Sequence, residues 1–265
     1  MRRFFLIIAA GVLAGCGEKE PAQPIATNSE TTNTEATNPA EDETKQVAQP
    51  PAPIPEPTKP KPTAVVPEKL ITDTTVESVI RESIAKPRGE LTKADLAKVT
   101  KLELSYNQIT DASLKEVAKL VNLTGFGMYA TKVTDAGLKE IAKLKSLFSL
   151  TLSDKITDNG MNEVAKLKNL AYLDLSDTQV TDVGLKEVAK LANLTGLSLP
   201  DQVTDVGLME VAKLEKLKMV YLESTKITDE GLKELAKLKQ LIWLNLYATK
   251  VTKAGVAELQ SALPE

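Results

Sequence analysis

The sequence predicts an α/β solenoid, a fold in which each repeating unit buries its apolar face against the neighbouring units. The first observation behind this prediction is the stretch TDAGLKEIAKL, which begins at Thr134 and returns with few changes along the chain. Copies begin at Thr110, Thr157, Thr181, Thr204, Thr228 and Thr252, the first and last being weaker. The second observation is that successive starts lie 23 or 24 residues apart, a period typical of solenoids.

Each unit is predicted to contain a strand followed by a helix, as residues 123–146 illustrate. Phe126 and Met128 are separated by one glycine, and this alternation predicts a short strand with one buried face. Leu138 and Ile141 recur at helical spacing with charged residues between them, which predicts an amphipathic helix. We therefore expect each unit to form one β-α turn of the solenoid, with its helix packed over its strand.

The units share the pattern L-x-x-L-x-L-x-x-(T/N)-x-(I/V)-T-D-x-G-L-x-x-(V/I/L)-A-x-L. This pattern resembles the leucine-rich repeat, in the variant with a TDxGL turn and a full helix, and about seven units cover residues 99–265. The units open at Val99, Leu123, Leu147, Leu170, Leu194, Leu217 and Leu241. The resemblance implies a leucine-rich-repeat solenoid with a parallel sheet on its concave face and helices on its convex face.

Two units, those that open at Leu147 and Leu194, are one residue shorter than the others. The missing residue falls where the family usually places an asparagine or cysteine that forms a hydrogen-bond ladder. The longer units have Asn107, Thr131, Thr178, Thr225 and Thr249 at this position. We therefore expect the ladder to be interrupted at the two short units.

Residues 68–98 precede the first repeat and are expected to form a helical N-terminal cap. Val76, Val79 and Ile80 are spaced as on one helix face, and the sequence KPRG that follows breaks the helix. An uncapped end would expose the core of a solenoid, which is why the terminal segments of such folds differ from the repeats.

Residues 1–15 are typical of a secretory signal peptide. Arg2 and Arg3 precede an apolar run, residues 4–13, that is too short to span a bilayer. The run ends in LAGC, which resembles the bacterial lipobox and implies cleavage before Cys16 and acylation of its thiol and new amino group. The alternatives are an ordinary signal peptide with a coincidental cysteine, or a short membrane anchor.

Acylation would also determine where the protein resides. In lipobox proteins the cysteine has more than one acyl chain, and two or more chains anchor a protein stably in a membrane. Gly17 is not the aspartate that is associated with inner-membrane retention, which favours the outer membrane. We expect an exported, membrane-anchored lipoprotein of the bacterial cell envelope, on the periplasmic side or at the cell surface. Cys16 is the only cysteine, so no internal disulfide can form.

Residues 16–67 are predicted to be a disordered tether behind the lipidated cysteine. From residue 17 to residue 67 there is no aromatic residue, whereas 11 of the 14 prolines of the chain lie there. Such a segment cannot bury enough apolar surface to offset its chain entropy. The alternative is that it serves as a proline-rich ligand for another domain.

Composition excludes several functions. The net charge is −3 and no basic stripe stands out, so we expect no nucleic-acid partner. The chain has no histidine and its one thiol is assigned to lipid, so we expect neither an enzyme nor a cofactor. One aspartate recurs at each predicted helix start: Asp111, Asp135, Asp158, Asp182, Asp205 and Asp229. We interpret this column as support for the helix N-termini rather than as a metal-binding ladder.

The concave face holds the candidate binding residues, because side chains between the buried leucines point to that face. Three positions per unit face it, the last being Ser105, Tyr129, Ser153, Ser176, Pro200, Glu223 and Tyr247. The predicted partner-binding residues are Tyr129, Tyr172, Asp174, Met219, Tyr221, Glu223, Trp243, Asn245 and Tyr247. Their aromatic rings are concentrated in the last two units, where Trp and Tyr are typical interface anchors. Phe148 lies beside a repeat leucine and is expected to pack at the edge of the sheet.

The predicted function is that of a lipid-anchored scaffold whose concave face binds a protein partner, since a rigid sheet presents its side chains with little entropy loss on binding. One alternative is a cell-wall or surface-glycan binder, in which the aromatic rings stack on sugars. A second alternative is an envelope spacer without a ligand, in which Trp243 merely shields the last turn.

Overall fold

The structure is a computed structural model that describes the short strand Ile7–Ile8 and residues 69–263. The described residues belong to one compact unit. The rest of the predicted signal peptide, the predicted acylation site Cys16 and the tether lie outside the described residues. No helix in the described part is long and apolar enough to cross a bilayer.

One continuous parallel sheet runs through the repeats, in chain order from the first to the last. Its strands are β1 (Ile7–Ile8), β2 (Lys101–Glu103), β3 (Gly125–Gly127), β4 (Ser149–Thr151), β5 (Tyr172–Asp174), β6 (Gly196–Ser198), β7 (Met219–Tyr221) and β8 (Trp243–Asn245). The strand β1 adds to the edge of β8, so the strand order is β1-β8-β7-β6-β5-β4-β3-β2. The parallel sheet with one strand per repeat confirms the predicted leucine-rich-repeat solenoid.

The described residues form short helices before the first repeat strand, between successive strands on the opposite side of the core, and after the last strand. They are α1 (Thr74–Ser83), α2 (Lys93–Leu96), α3 (Asp111–Val117), α4 (Leu138–Ile141), α5 (Met161–Val164), α6 (Asp182–Val188), α7 (Asp205–Val211), α8 (Asp229–Glu234) and α9 (Lys253–Ala262). Three-residue 3-10 turns precede α4 and α5 and follow α8. The convex helices are therefore shorter than the full helix that the repeat pattern implies.

The core consists of stacked columns of aliphatic residues, one residue of each column per unit. The middle residues of β4, β5 and β6 are Leu150, Leu173 and Leu197, and each is only 1–2% exposed. Full burial of a leucine side chain stabilises a fold by about 1.5–3 kcal/mol relative to exposure. Because each leucine contacts the next one along the stack, the units depend on their neighbours for stability.

The recurring aspartates bind the next unit rather than their own helix N-terminus. The Asp158 carboxylate accepts hydrogen bonds from the backbone N–H and the hydroxyl of Thr181, at 2.7 and 2.8 Å. The same paired bonds join Asp111 to Thr134, Asp135 to Thr157, Asp182 to Thr204, Asp205 to Thr228 and Asp229 to Thr252. We call this set the aspartate–threonine ladder. The structural interpretation of the aspartates holds, but their hydrogen-bond partners lie one repeat further along.

The glycine of the TDxGL turn is required by the same ladder. A Cβ atom on Gly160 would lie 2.5 Å from Oδ1 of Asp135 and 2.7 Å from Cδ1 of Leu138, both closer than real contacts allow. A Cβ atom on Gly184 would likewise lie 2.5 Å from Oδ1 of Asp158. The glycine of one unit therefore makes room for the aspartate of the unit before it.

The two short units differ from the others in backbone geometry. Each longer unit has one non-glycine residue in the left-handed region, for example Ala130 with φ of 51°. The short units have none, and they bridge the gap with side chains. Ser153 donates to the carbonyl of Thr131 at 3.2 Å, and Gln202 donates to the carbonyl of Thr178 at 2.8 Å. At the two short units, where we expected the asparagine/threonine ladder to be interrupted, these side chains thus form hydrogen bonds to the preceding unit.

The helices α1 and α2 close the N-terminal end of the core. Val76 and Ile80 of α1 are completely buried against the first repeat. At α2, Asp95 forms a capping box with Thr92 and an ion pair with Lys86 at 2.7 Å. These contacts, the hydrogen bond from Lys86 first, hold the pKa of Asp95 well below its usual range.

Candidate binding surface on the concave face

The concave surface is formed by the residues on either side of the buried middle residue of each strand. Residues that pair between neighbouring strands occupy the same position in their repeat units. They therefore stack in columns, in which successive residues are about 4.8 Å apart, the spacing between strands. The first column is Lys101, Gly125, Ser149, Tyr172, Gly196, Met219 and Trp243. The second column is Glu103, Gly127, Thr151, Asp174, Ser198, Tyr221 and Asn245.

The third predicted column is not a continuous surface. Ser153 is 0% exposed and Pro200 is buried, so the prediction that these two residues face the concave side is wrong. Both residues belong to the short units, which lack the left-handed residue that follows this position in the longer units. As a result, the chain of a short unit turns beneath the surface directly after its strand.

A cavity on this face lies at the N-terminal end, not among the C-terminal aromatic residues. It has a volume of about 890 Å³ and lies between α1 and the strands β2–β5. Val79 and Glu82 of α1 line one side, and Lys101 and Glu103 of β2 line the floor. Sequence reasoning missed this groove because its wall depends on where the cap packs, and no repeat pattern encodes that placement.

Phe148 and Tyr172 form an exposed aromatic pair at the far end of this groove. Their ring centroids are 5.4 Å apart, and the side chains are 50% and 38% exposed. Phe148 lies at the edge of the sheet, as expected, but half of it remains open to solvent. An exposed ring next to Tyr172 extends the aromatic surface well beyond the last two units.

The Tyr172 ring lies over the neighbouring strand, which has a glycine at the paired position. A Cβ atom on Gly196 would lie only 2.6 Å from Cδ1 of the Tyr172 ring. Glu103 lies over Gly127 in the same way. The concave glycines thus provide the space in which larger side chains of the preceding unit lie.

The C-terminal residues of the predicted site lie close together. The rings of Tyr221 and Trp243 have centroids 6.5 Å apart. Asn245 accepts a hydrogen bond from the Tyr247 N–H at 2.9 Å and donates one to Glu223 at 3.3 Å. The polar groups of Glu223 and Asn245 are therefore already partly engaged with each other.

In the uncleaved chain, Trp243 is less accessible than the sequence suggested. Its Nε1 atom is buried and has no hydrogen-bond acceptor in the described part of the chain. In the sheet, Trp243 is paired with Ile7 of β1, which belongs to the predicted signal peptide and would be lost on cleavage before Cys16. Tyr221 and Tyr247, at 36% and 42% exposed, present more of their surface than Trp243 does.

Tyr129 differs from the other predicted site residues because its polar tip is bound within the protein. Its hydroxyl donates to Asp177, two repeats further along, at 3.0 Å, and its ring meets Tyr106 edge-on at 5.4 Å. The Asp177 carboxylate raises the pKa of the Tyr129 hydroxyl. Tyr129 therefore joins the first, second and fourth repeats along the rim of the sheet.

The described residues offer no obvious metal site. Among residues 69–263, no group of three or more acidic side chains is placed to hold a metal ion. The aspartates of the ladder are each occupied by threonine donors, as the hydrogen bonds above show. The concave face is thus a surface of aromatic, hydroxyl and charged side chains.

Together, the one-strand-per-turn sheet, the stacked leucine columns and the open concave face define a leucine-rich-repeat solenoid. A family model described as Leucine Rich repeat matches residues 96–118, 166–189 and 213–236. Leucine-rich repeats are therefore present in this chain. A search against curated proteins finds no match.

Among solved structures, the chain is similar to internalin C2 from Listeria monocytogenes. The two chains are 27% identical with a TM-score of 0.53, over 71% of this chain and 89% of that chain. Another internalin of the same organism is 21% identical with a TM-score of 0.43, over 76% of this chain and 77% of that chain. The first comparison agrees with the solenoid fold.

Proposed function

We propose that this chain is a lipid-anchored scaffold of the bacterial cell envelope that binds a protein partner through the concave face of its leucine-rich repeats. Solenoids of stacked repeats typically use their extended concave surfaces for binding. Leucine-rich-repeat proteins typically mediate protein–protein interaction. The LAGC sequence, the proline-rich segment behind it and the repeat domain together fit a binding domain held at a distance from a membrane.

One observation supports a protein partner above all: the concave face presents a row of exposed aromatic rings on a rigid sheet. Phe148, Tyr172 and Tyr221 lie on strands, or beside them, that pair in fixed register from β4 to β7. Aromatic residues bury a large area and lose little side-chain entropy, and for this reason they dominate the binding energy of protein interfaces. A preformed sheet reduces the ordering cost further.

The partner is tested by capture from envelope extracts with the full-length protein in detergent. We expect one species to be retained by the wild-type chain and lost with a Tyr172→Ala, Tyr221→Ala double variant. The matched control is Val183→Ala, because Val183 is 62% exposed on the helix side. Retention of the species by the double variant, or its loss with the control, would contradict the proposal.

The same variants separate the alternatives. A glycan binder would retain soluble envelope polysaccharide, and the double variant would release it while no protein species changed. A spacer would retain neither polysaccharide nor a specific protein. Either result would remove the protein partner from the proposal.

The anchor is tested independently, with Cys16→Ser in a bacterial host. We expect the wild-type chain to incorporate a labelled fatty acid and to sediment with membranes. The variant should incorporate none and should leave the sedimented membranes after a wash. An acylated variant, or an unacylated wild-type chain, would contradict lipidation at Cys16.

A further inference from the structure

A small depression in the middle of the concave face combines two aromatic rings with one carboxylate. We call it the central pocket; its volume is about 280 Å³, and Tyr172, Asp174, Gly196, Ser198 and Tyr221 are among the residues that line it. Asp174 is the only charged side chain among the described residues of its lining. The pocket lies on β4–β7, in the centre of the sheet.

The Asp174 carboxylate is fixed in position but not neutralised. Its Oδ1 atom accepts a hydrogen bond from the Ser176 N–H at 3.0 Å, which restricts the side chain to one orientation. No lysine or arginine within residues 69–263 forms an ion pair with it, whereas Asp95 has two such partners. One oxygen of Asp174 therefore remains available to a donor from outside the chain.

The two tyrosine rings of the pocket are also held in place. Phe148 and the glycine at 196 position the Tyr172 ring, and Trp243 packs near the Tyr221 ring at 6.5 Å between centroids. The face of an aromatic ring attracts a cation within about 6 Å of its centroid, and the attraction increases when water is excluded. A lysine or arginine side chain has an apolar stem and a charged end. The two fixed rings match the stem, and the fixed carboxylate matches the charge.

Other kinds of ligand group fit the pocket less well. An acidic group would meet the Asp174 carboxylate without a cation between them. An apolar group would cover that carboxylate and leave it desolvated and unpaired, which is strongly unfavourable. The other charged residues of the three concave columns are Glu103, Glu223 and Lys101, so these columns have a net negative charge.

We propose that the central pocket binds a lysine or arginine side chain of the protein partner, with the charge on Asp174 and the stem against Tyr172 and Tyr221. This proposal rests on the proposed function, because it names the feature of the partner that the concave face recognises. The pocket then selects partners by charge, while the surrounding rings contribute contact area.

The test uses blocked pentapeptides Gly-Ser-X-Ser-Gly, titrated into the full-length protein while the tyrosine ring resonances are followed by NMR. We expect the peptides with X as arginine or lysine to shift the Tyr172 and Tyr221 rings, and the peptide with X as norleucine to bind roughly tenfold more weakly or worse. The peptide with X as glutamate should bind no better than norleucine. Equal binding of the glutamate and arginine peptides, or no ring shift with arginine, overturns the proposal.

The matched variants are Asp174→Asn and Asp201→Asn, which remove the same charge. Asparagine keeps the oxygen that accepts from Ser176, so the backbone around position 174 should remain folded. Asp201 is exposed and lies outside the lining of the pocket. We expect Asp174→Asn to weaken arginine binding roughly tenfold and Asp201→Asn to leave it unchanged. Equal effects of the two variants would mean that only overall charge matters, and would overturn a specific pocket.

Failure of this proposal can be told apart from failure of the proposed function. If the capture experiment succeeds but the peptides show no charge preference, the concave face binds a partner by other means. If the peptides bind as expected but no protein is captured, the cation pocket stands and the protein partner does not.

Discussion

The two sides of this solenoid use the same repeat in opposite ways. At the turns into the helices, the aspartate–threonine ladder is the same in every step from Asp111 to Thr252. On the concave strands, the equivalent position changes from lysine to glycine to serine to tyrosine over the first four units. Residues that repeat without change bind the next unit, whereas residues that vary face solvent on the sheet. In this chain, positions that are the same in every unit hold the fold together, and positions that differ between units form the candidate binding surface.

The largest effect is expected when one step of the aspartate–threonine ladder is removed, which tests whether the repeated residues hold the units together. Asp158→Ala removes the bonds to Thr181 and one to the Gly184 N–H, which lies 2.9 Å away, and leaves partly buried donors without partners. We expect a loss of about 3 kcal/mol in the free energy of unfolding, measured by urea denaturation.

The control for this loss is Asp201→Ala, an exposed aspartate outside the ladder. It should change stability by no more than about 0.5 kcal/mol. Equal stability of the two variants would show that the ladder does not hold the units together.

A pair of glycine substitutions compares the two sides directly. Gly160→Ala places a methyl group 2.5 Å from Asp135, whereas at Gly125 on the concave side the nearest atom is the Lys101 Cγ at 3.4 Å. Thermal denaturation should show a loss of about 2 kcal/mol for Gly160→Ala and no more than about 0.5 kcal/mol for Gly125→Ala. A reversed order would contradict the assignment of the turn glycine to the ladder.

The pH dependence of stability reports on the carboxylates that the fold has hydrogen-bonded. Donors from Thr252 lower the pKa of Asp229, and Lys86 and Thr92 lower that of Asp95, from ordinary values of 3.8. Because the folded-state pKa lies below the unfolded one, this stabilisation is present above about pH 4 and is lost as the pH falls through the folded-state value. At pH values below 4, we expect the urea concentration at the unfolding midpoint to decrease as the pH is lowered. This decrease should be less steep for Asp95→Asn.

Lys86→Met should have a similar effect on that pH dependence, because the hydrogen bond from Lys86 is the largest cause of the lowered pKa of Asp95. If the urea midpoint depended on pH in both variants as it does in the wild-type chain, Asp95 would not contribute to acid unfolding.

The smallest expected effect separates two tyrosines that the sequence placed in one site. Tyr129→Phe removes the hydroxyl that donates to Asp177 and should cost about 1 kcal/mol in denaturant unfolding. Tyr172→Phe should change stability by no more than about 0.5 kcal/mol, since its hydroxyl has no bonding partner within residues 69–263. If both variants lost the same free energy of unfolding, the two hydroxyls would contribute equally to stability, which would contradict this distinction.

Much of the fold could be predicted from the sequence because, in a leucine-rich repeat, each unit packs against the units next to it in the chain. The spacing of residues such as Leu150 and Leu173 sets the strand, the buried column and the concave side together. The partner of Asp158 could not be read locally, because Thr181 lies 23 positions further on and meets it only when the units stack. The inward turn at Ser153 likewise depends on one absent residue in a short unit.

The candidate site was predictable only in part, for a related reason. The outward direction of Tyr172 and Tyr221 follows from strand alternation, and the structure places both on the concave surface. The large N-terminal groove depends on where α1 packs, and the half-exposed ring of Phe148 depends on the shape of the sheet edge. The tie between Tyr129 and Asp177 spans 48 positions and has no local signature.

The most direct test of the account is hydroxyl-radical footprinting of the full-length protein with and without its captured partner. We expect Tyr172 and Tyr221 to lose reactivity in the complex, whereas Met209, which is 54% exposed on α7, should keep its reactivity. Protection of Met209 with unchanged reactivity of both tyrosines would place the partner on the convex side and contradict the account.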